Sequence, residues 1–346
     1  MTNKHKVIFI GDSRKMKGGV STVIKTLEES VLWDKYNCYW LETQINSQYK
    51  LTKLLYLIRG LIKGLFLIPK YKIVHFHTAP GASMRTLFPL FFYSLVWHRK
   101  IIVQLHVGNQ IKQHVNDKLF IYWTTHTDYL IFLGKIWKDE ITPFLRKNVK
   151  TEFVYNPILE HEIQKINKKY FLYAAFFNLN KGYDILLKAF SNLVKDNPEW
   201  KLVMCGTGDV SGILECINKY HLNDKVILPG WIDGKDKETL FKEAYAYCMT
   251  SYQEGLPMSV LEAMSYGVPV ITTPVGCIPE ILQDNKTCLY FNFGDAKELE
   301  EKMRLLINNK KLRDTISINS YELSNNTFSL DTIAKKLDKI YSLLIK

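Results

Sequence analysis

Twice along the chain, short runs of apolar and β-branched residues alternate with longer stretches of helical periodicity. In the first half the runs fall near residues 6–10, 37–41, 72–76, 100–105, 128–132 and 151–155. In the second half they fall near 170–175, 200–205, 225–228, 246–249, 268–272 and 288–291. Strands that alternate with helices in this way build parallel sheets covered by helices on both faces. The expected class is therefore α/β, with two doubly wound domains, and 346 residues suffice for two separate cores. Asn156-Pro157-Ile158 and the charged stretch 160–169 mark the expected hinge. The expected domains are 1–160 and 161–329, followed by a last helix over 330–346.

The net charge of +12 is unevenly placed. Residues 1–165 hold 24 Lys and Arg against 12 Asp and Glu, whereas residues 166–346 hold 22 of each. The first half must therefore meet something negative: nucleic acid, an anionic membrane or a phosphorylated acceptor. Its basic residues are interleaved with apolar stretches rather than gathered in a solvated tail, which favours a membrane or a lipid-linked phosphate over nucleic acid. The six cysteines, at 38, 205, 216, 248, 277 and 288, form no Cys-x-x-Cys pair. That spacing argues against zinc and against a disulfide framework, and suits a reducing cytosol. A strand beginning by Lys6 leaves no room for a leader. The longest apolar run, Phe88 to Trp97, has ten residues, short of the ~18 that a spanning helix needs. A cytoplasmic location is expected, with peripheral contact to the inner membrane face.

Chemistry concentrates in residues 251–280, SYQEGLPMSVLEAMSYGVPVITTPVGCIPE. The stretch reads as loop, short helix and strand. Pro257 suits the first helical position, Leu261 and Met264 share a face, and Gly267 ends the helix. Glu254 lies in the loop and Glu262 two turns further along. The backbone N–H groups of Gly255, Leu256, Pro257's successor Met258 and the rest of the helix start are free to meet a phosphate, and the carboxylates can accept from sugar hydroxyls. A nucleotide sugar carries both kinds of group. The spacing alone also fits an ordinary helix with two exposed acids.

The string E-G-L-P-x-x-x-L-E-A-M-x-x-G-x-P-V resembles the E-x7-E signature of the family 4 retaining glycosyltransferases, also known as glycosyl transferases group 1. The resemblance extends weakly over nearly the whole chain. It implies the GT-B fold, two Rossmann-like domains facing across a cleft, with the C-terminal helix crossing back to the N-terminal domain. It implies that domain 1–160 binds the acceptor and domain 161–329 the nucleotide-sugar donor. Glu262 would hold the donor ribose, Glu254 the donor sugar, and Gly255, Leu256, Pro257 and Met258 the backbone around the diphosphate or sugar.

Other segments match the family piecemeal. Gly18-Gly19-Val20 resembles its glycine-rich loop, which closes on the donor diphosphate. That loop carries neither G-x-G-x-x-G nor a P-loop, so a dinucleotide or ATP site is not supported. His106, followed by Val107-Gly108-Asn109, resembles the family histidine facing donor sugar and acceptor. His75 reads as a satisfied, half-buried imidazole, and His77 reads either way. Gly206-Thr207-Gly208 resembles the glycine pair at the nucleotide pocket, and Trp231 reads as packing rather than as a base stack. The family's G-R-x-x-x-x-K-G string aligns with Ala175–Gly182. Lys181 and Gly182 match it, but Phe176 stands at the arginine and Ala175 at the glycine. If another cation substitutes, Arg14 or Lys17 is the candidate. Cys277 and Cys288 stand where the family commonly has glycine.

No third ligand follows His75-x-His77 at zinc spacing and no Asp-x-Asp is present, so a metal-independent enzyme without cofactor is expected. The expected partners are a nucleoside-diphosphate sugar and a glycan or a polyprenyl- or lipid-linked acceptor, in bacterial cell-surface polysaccharide assembly. A GT-B epimerase or phosphorylase, or a catalytically silent homologue, is the alternative. On a helix over 51–66, Leu51, Leu54, Leu55, Leu57, Ile58, Leu61, Ile62, Leu65 and Phe66 fill one half. Lys53, Arg59 and Lys63, with Thr52, Tyr56, Gly60 and Gly64, fill the other. Such an arc serves a helix packed on a sheet. Its acid-free polar half also suits a helix lying on a membrane.

Overall fold

The computed structural model describes residues 6–45, 47, 49–146, 149–163 and 168–345. Part of the expected hinge, 164–167, lies outside the described residues, as do residues 1–5 and 346. Chain contacts divide the molecule into two units, Met1–Pro157 with Phe328–Lys346, and Ile158–Thr327.

The first unit contains β1 (Val7–Asp12), β2 (Tyr39–Gln44), β3 (Ile73–Thr78), β4 (Lys100–Leu105), β5 (Tyr129–Phe132) and β6 (Lys150–Phe153). They form one sheet in the order β2-β1-β3-β4-β5-β6, with parallel pairing throughout. The second unit contains β7 (Tyr170–Phe177), β8 (Lys201–Gly208), β9 (Val226–Gly230), β10 (Ala246–Met249), β11 (Val270–Thr272) and β12 (Leu289–Tyr290). Their order is β12-β11-β10-β7-β8-β9, again all parallel. Helices cover both faces, so the central strands are buried end to end. Val7–Ile10 and Ile101–Val103 show this, and unbroken apolar runs of that kind are what made the strands visible in the sequence.

The last helix, Leu330–Ile345, belongs to the first unit. Tyr341 shares a hydrogen bond of 2.8 Å with His75 Nδ1, and Asp338 accepts from Lys35 at 2.6 Å and from Tyr36 at 2.7 Å. This is the return to the N-terminal domain that the family resemblance implies.

Helix Lys50–Leu67 is mounted the other way round from a helix that packs its apolar arc on a sheet. Its buried residues are Gly60 and Gly64. A Cβ on Gly60 would stand 2.9 Å from the Glu42 carbonyl of β2, and one on Gly64 2.4 Å from the Leu90 side chain. Only a glycine edge approaches that closely, so Leu51, Leu55, Ile58, Ile62 and Phe66 on the opposite side point to solvent.

Two other differences are local. Helix Met258–Ser265 starts after Pro257, which is extended and acts as its N-cap. Helix Gly19–Glu28 begins within the Gly18-Gly19-Val20 segment read as loop.

Candidate active site

In an open parallel sheet, ligands bind beyond the C-terminal strand ends, where the strand order reverses and two neighbouring loops part. In the second unit that place lies between β7 and β10. The loop after β7 carries Lys181 and the loop after β10 carries Glu254. Their side chains meet: Lys181 Nζ donates to Glu254 Oε1 at 2.6 Å, and Ser251 Oγ donates to the same oxygen at 2.7 Å. A lysine at a helix start is disfavoured by the dipole unless an anion stands beside it, and Glu254 is that anion.

Backbone contacts fix both loops. Gly182 is left-handed, with φ 65°, and a Cβ there would stand 2.1 Å from the Thr250 carbonyl. Thr250 Oγ1 in turn donates to the Lys181 and Gly182 carbonyls at 2.8 and 2.9 Å. On the other side, the Cys277 N–H donates to the Gly255 carbonyl at 2.9 Å, and Thr273 Oγ1 donates to the Ser251 carbonyl at 2.6 Å. The carboxylate and the ammonium are thus held between two clamped loops rather than on free tips.

Glu262, the fifth residue of helix Met258–Ser265, pairs with Lys237 Nζ at 2.5 Å. Both pairs are largely shielded: the Glu254 and Glu262 side chains keep 15% and 17% of their exposure. The first turn of this helix has no side-chain cap, and its leading N–H groups have no helical partner. Tyr247 OH, hydrogen-bonded to Ser259 Oγ at 2.7 Å, ties the helix start to β10. At the end of β8, a Cβ on Gly206 would stand 1.9 Å from the Ala175 carbonyl, so this glycine serves the close pairing of β7 with β8. Gly208 ends the same strand.

Phe176, at the end of β7, is 56% exposed, and Trp231, after β9, is 37% exposed. Lys237 escaped the sequence reading because nothing local connects it to Glu262. Ser251 had a signal, the Ser-x-x-Glu spacing.

The remaining candidates lie in the first unit. Gly18 and Gly19 are exposed after β1, and a Cβ on Gly18 would meet nothing within 4 Å. Arg14, considered as a substitute cation, is taken: it pairs with Glu28 and, at 3.1 Å, with Glu42, and lies over Trp40. Glu42 also accepts from Ser13 and Tyr56, and these bonds, outweighing its burial, bring its pKa down to about 2.

His77 Nδ1 and His106 Nε2 are 2.8 Å apart, so one ring donates to the other, and the rings are stacked. His75 is fully buried, not half-buried, because helix Leu330–Ile345 covers it. Burial pushes His75 and His106 down to about 3, and pushes His77 well below the ordinary range with help from its two histidine neighbours. All three are therefore neutral at pH 7 in the folded chain, whereas unfolded imidazoles titrate near 6.5. Because the folded values are depressed, stability is whole above pH ~6.5 and falls as acid protonates the unfolded state. The first unit should lose about 1 kcal/mol per histidine between pH 7.5 and 5.5. Denaturant unfolding at the two pH values checks this, and His77→Asn should reduce the loss. Among the described residues, no three His, Cys, Asp or Glu gather to hold a metal ion.

A carboxylate and an ammonium at a switch point, beside uncapped helix N–H groups and a second carboxylate, are groups chemically suited to a ligand with phosphate and hydroxyl groups. Comparison with known proteins agrees with that class. Residues 158–323 match the model of the family glycosyl transferases group 1. The match spans most of the second unit, and with relatives named as glycosyltransferases it supports a transferase enzyme. A protein of Klebsiella pneumoniae described as an uncharacterized 41.2 kDa protein in the cps region is 29% identical over 333 residues, 86% of this chain and 88% of that one. The capsular polysaccharide biosynthesis glycosyltransferase CapM of Staphylococcus aureus is 26% identical over 195 residues, 55% of this chain and 51% of CapM. The crystal structure of Anabaena Alr3699/HepE in complex with UDP and glucose superposes with a TM-score of 0.78 at 15% identity, covering 98% of this chain and 99% of that one. The fold is thus GT-B-like.

Proposed function

We propose that the chain is a retaining, metal-independent glycosyltransferase that moves a sugar from a nucleoside-diphosphate sugar to a glycan or lipid-linked acceptor in bacterial cell-surface polysaccharide assembly. The observation that carries the reading is the Lys181–Glu254 pair between β7 and β10. In the resting chain the two groups satisfy each other, and a donor offers each of them a new partner. The diphosphate takes the ammonium, and a sugar hydroxyl donates to the carboxylate.

Glu262 then accepts from the ribose hydroxyls, and the N–H groups around Gly255 to Met258 reach the diphosphate or the sugar. Gly206 and Gly208 keep the strand end near the nucleotide free of side chains. In the first unit, the Gly18-Gly19 loop is assigned to the diphosphate and His106, neutral at pH 7, to the acceptor side. In the reaction the bond from the anomeric carbon to the diphosphate oxygen breaks and a bond to the acceptor oxygen forms on the same face. The departing phosphate takes the acceptor proton. Lys181 is the only cation between Lys169 and Lys188, so with Phe176 in place of the family arginine it carries the leaving-group charge of that loop.

Relatives named for a cps region and for capsular polysaccharide biosynthesis, and a structural neighbour solved with UDP and glucose, support the donor and the pathway. The test is turnover of UDP-, GDP-, ADP- and dTDP-sugars with glycan and polyprenyl-phosphate-linked acceptors. It reads nucleoside diphosphate released and, by NMR, the anomeric configuration of the product. Release that depends on acceptor, with configuration retained, is expected. Inversion, conversion of the donor without acceptor, or a requirement for inorganic phosphate would replace this reading with an inverting transferase, an epimerase or a phosphorylase.

A further inference from the structure

Helix Lys50–Leu67 wears its apolar arc on the outside. Leu51, Leu55, Ile58, Ile62, Leu65 and Phe66 are all exposed, Phe66 at 69%. At 100° per residue these six fall within about 120°, opposite the buried Gly60–Gly64 edge. They extend over about 22 Å of helix at 1.5 Å per residue. The adjoining helix Ala82–Val96, tied on by Tyr93 OH to the Leu65 carbonyl at 3.1 Å, also exposes Phe92. A globular chain does not spend this many large apolar side chains on solvent without a partner.

Charge identifies the partner. Arg59 and Lys63 flank the arc on one side, and neither forms an ion pair among the described residues; Arg59 lies over the Tyr56 ring. Both also line a surface cavity of about 80 Å³ shared with Arg14, whose one acid, Glu42, is already occupied by Arg14, Ser13 and Tyr56. From residue 43 to residue 116 the sequence contains ten Lys and Arg and no Asp or Glu. A second copy docking face to face would bring these cations together with no acid of the segment to answer them. An anionic lipid surface answers both features, burying the arc among acyl chains and pairing Arg59 and Lys63 with headgroup phosphates. None of the described helices is long and apolar enough to cross a membrane, so the contact lies in the plane of the interface.

We infer that the exposed face of helix Lys50–Leu67 is a docking surface for an anionic lipid bilayer. The idea goes beyond the transfer reaction and is tested without donor or acceptor, so its failure would leave the transferase reading untouched. The experiment is co-sedimentation of the full chain with vesicles of phosphatidylcholine alone or mixed with phosphatidylglycerol, at low and high salt. The wild-type protein should partition onto the mixed vesicles at low salt. Ile58→Glu with Ile62→Glu should weaken partitioning by about ten-fold or more, and Arg59→Gln or Lys63→Gln by about five-fold each. Because these side chains are exposed, the variants should keep the wild-type melting temperature. Absence of partitioning by the wild type, or equal partitioning by folded variants, would overturn the inference. So would light scattering showing a dimer that Ile58→Glu with Ile62→Glu dissociates, with no vesicle binding.

Discussion

Lys181→Met should lower kcat by about 10²–10³-fold, because the charge on the departing diphosphate grows as the glycosidic bond breaks and a preorganised cation acts on that growth. Methionine preserves the length and apolar stem of the lysine and removes only the ammonium. The cost should appear in kcat more than in KM, since donor binding also draws on helix N–H groups and on Glu262. The protein should still fold: the loop is held by its backbone, through Gly182 and the Thr250 hydroxyl, not by the ammonium. Steady-state release of nucleoside diphosphate checks this. An unchanged kcat would mean that another group neutralises the leaving phosphate.

Glu254→Gln should cost a similar amount, for a different reason. The glutamine is isosteric, but its neutral oxygen is a weaker acceptor for a sugar hydroxyl, and Lys181 loses the carboxylate that positions it at 2.6 Å. A loss of about 10²-fold or more in kcat/KM is expected. Lys181 and Glu254 touch, so the double variant should lose far less than the product of the two single losses. Multiplicative losses would show that the two groups act separately, against the shared site described above.

Twelve strands were legible because a parallel strand buried on both faces reads as a short continuous apolar run, as Ile101-Ile102-Val103 does. Most strand ends shifted, by up to three residues. There hydrogen bonding to the neighbouring strand, not side-chain burial, decides where pairing stops, as where Phe176 and Phe177 extend β7 opposite Thr207 and Gly208. The apolar arc of helix Lys50–Leu67 was equally visible, but its direction was not. Periodicity gives the arc, and only the close approach of Gly60 and Gly64 to β2 and Leu90 tells which side faces in. Two small residues four apart were the available clue.

At the site, Glu254, Glu262 and Lys181 were all nameable from their strings. Their pairings were not, since Lys181 and Glu254 lie 73 positions apart and Lys237 and Glu262 lie 25 apart. Arg14 shows the converse. A loop arginine beside two lysines looked available for a phosphate, yet Glu28 and Glu42 reach it from other elements.

The most direct test of the donor site is thermal unfolding of the wild-type chain and of Glu262→Ala with a panel of UDP-, GDP-, ADP- and dTDP-sugars. A ligand at one hundred times its Kd adds about 2.7 kcal/mol to stability. One nucleotide class should raise the melting temperature of the wild type, and the rise should vanish in Glu262→Ala. No rise with any of the four, or an equal rise in the variant, would contradict a donor site built on the Glu254–Glu262 segment.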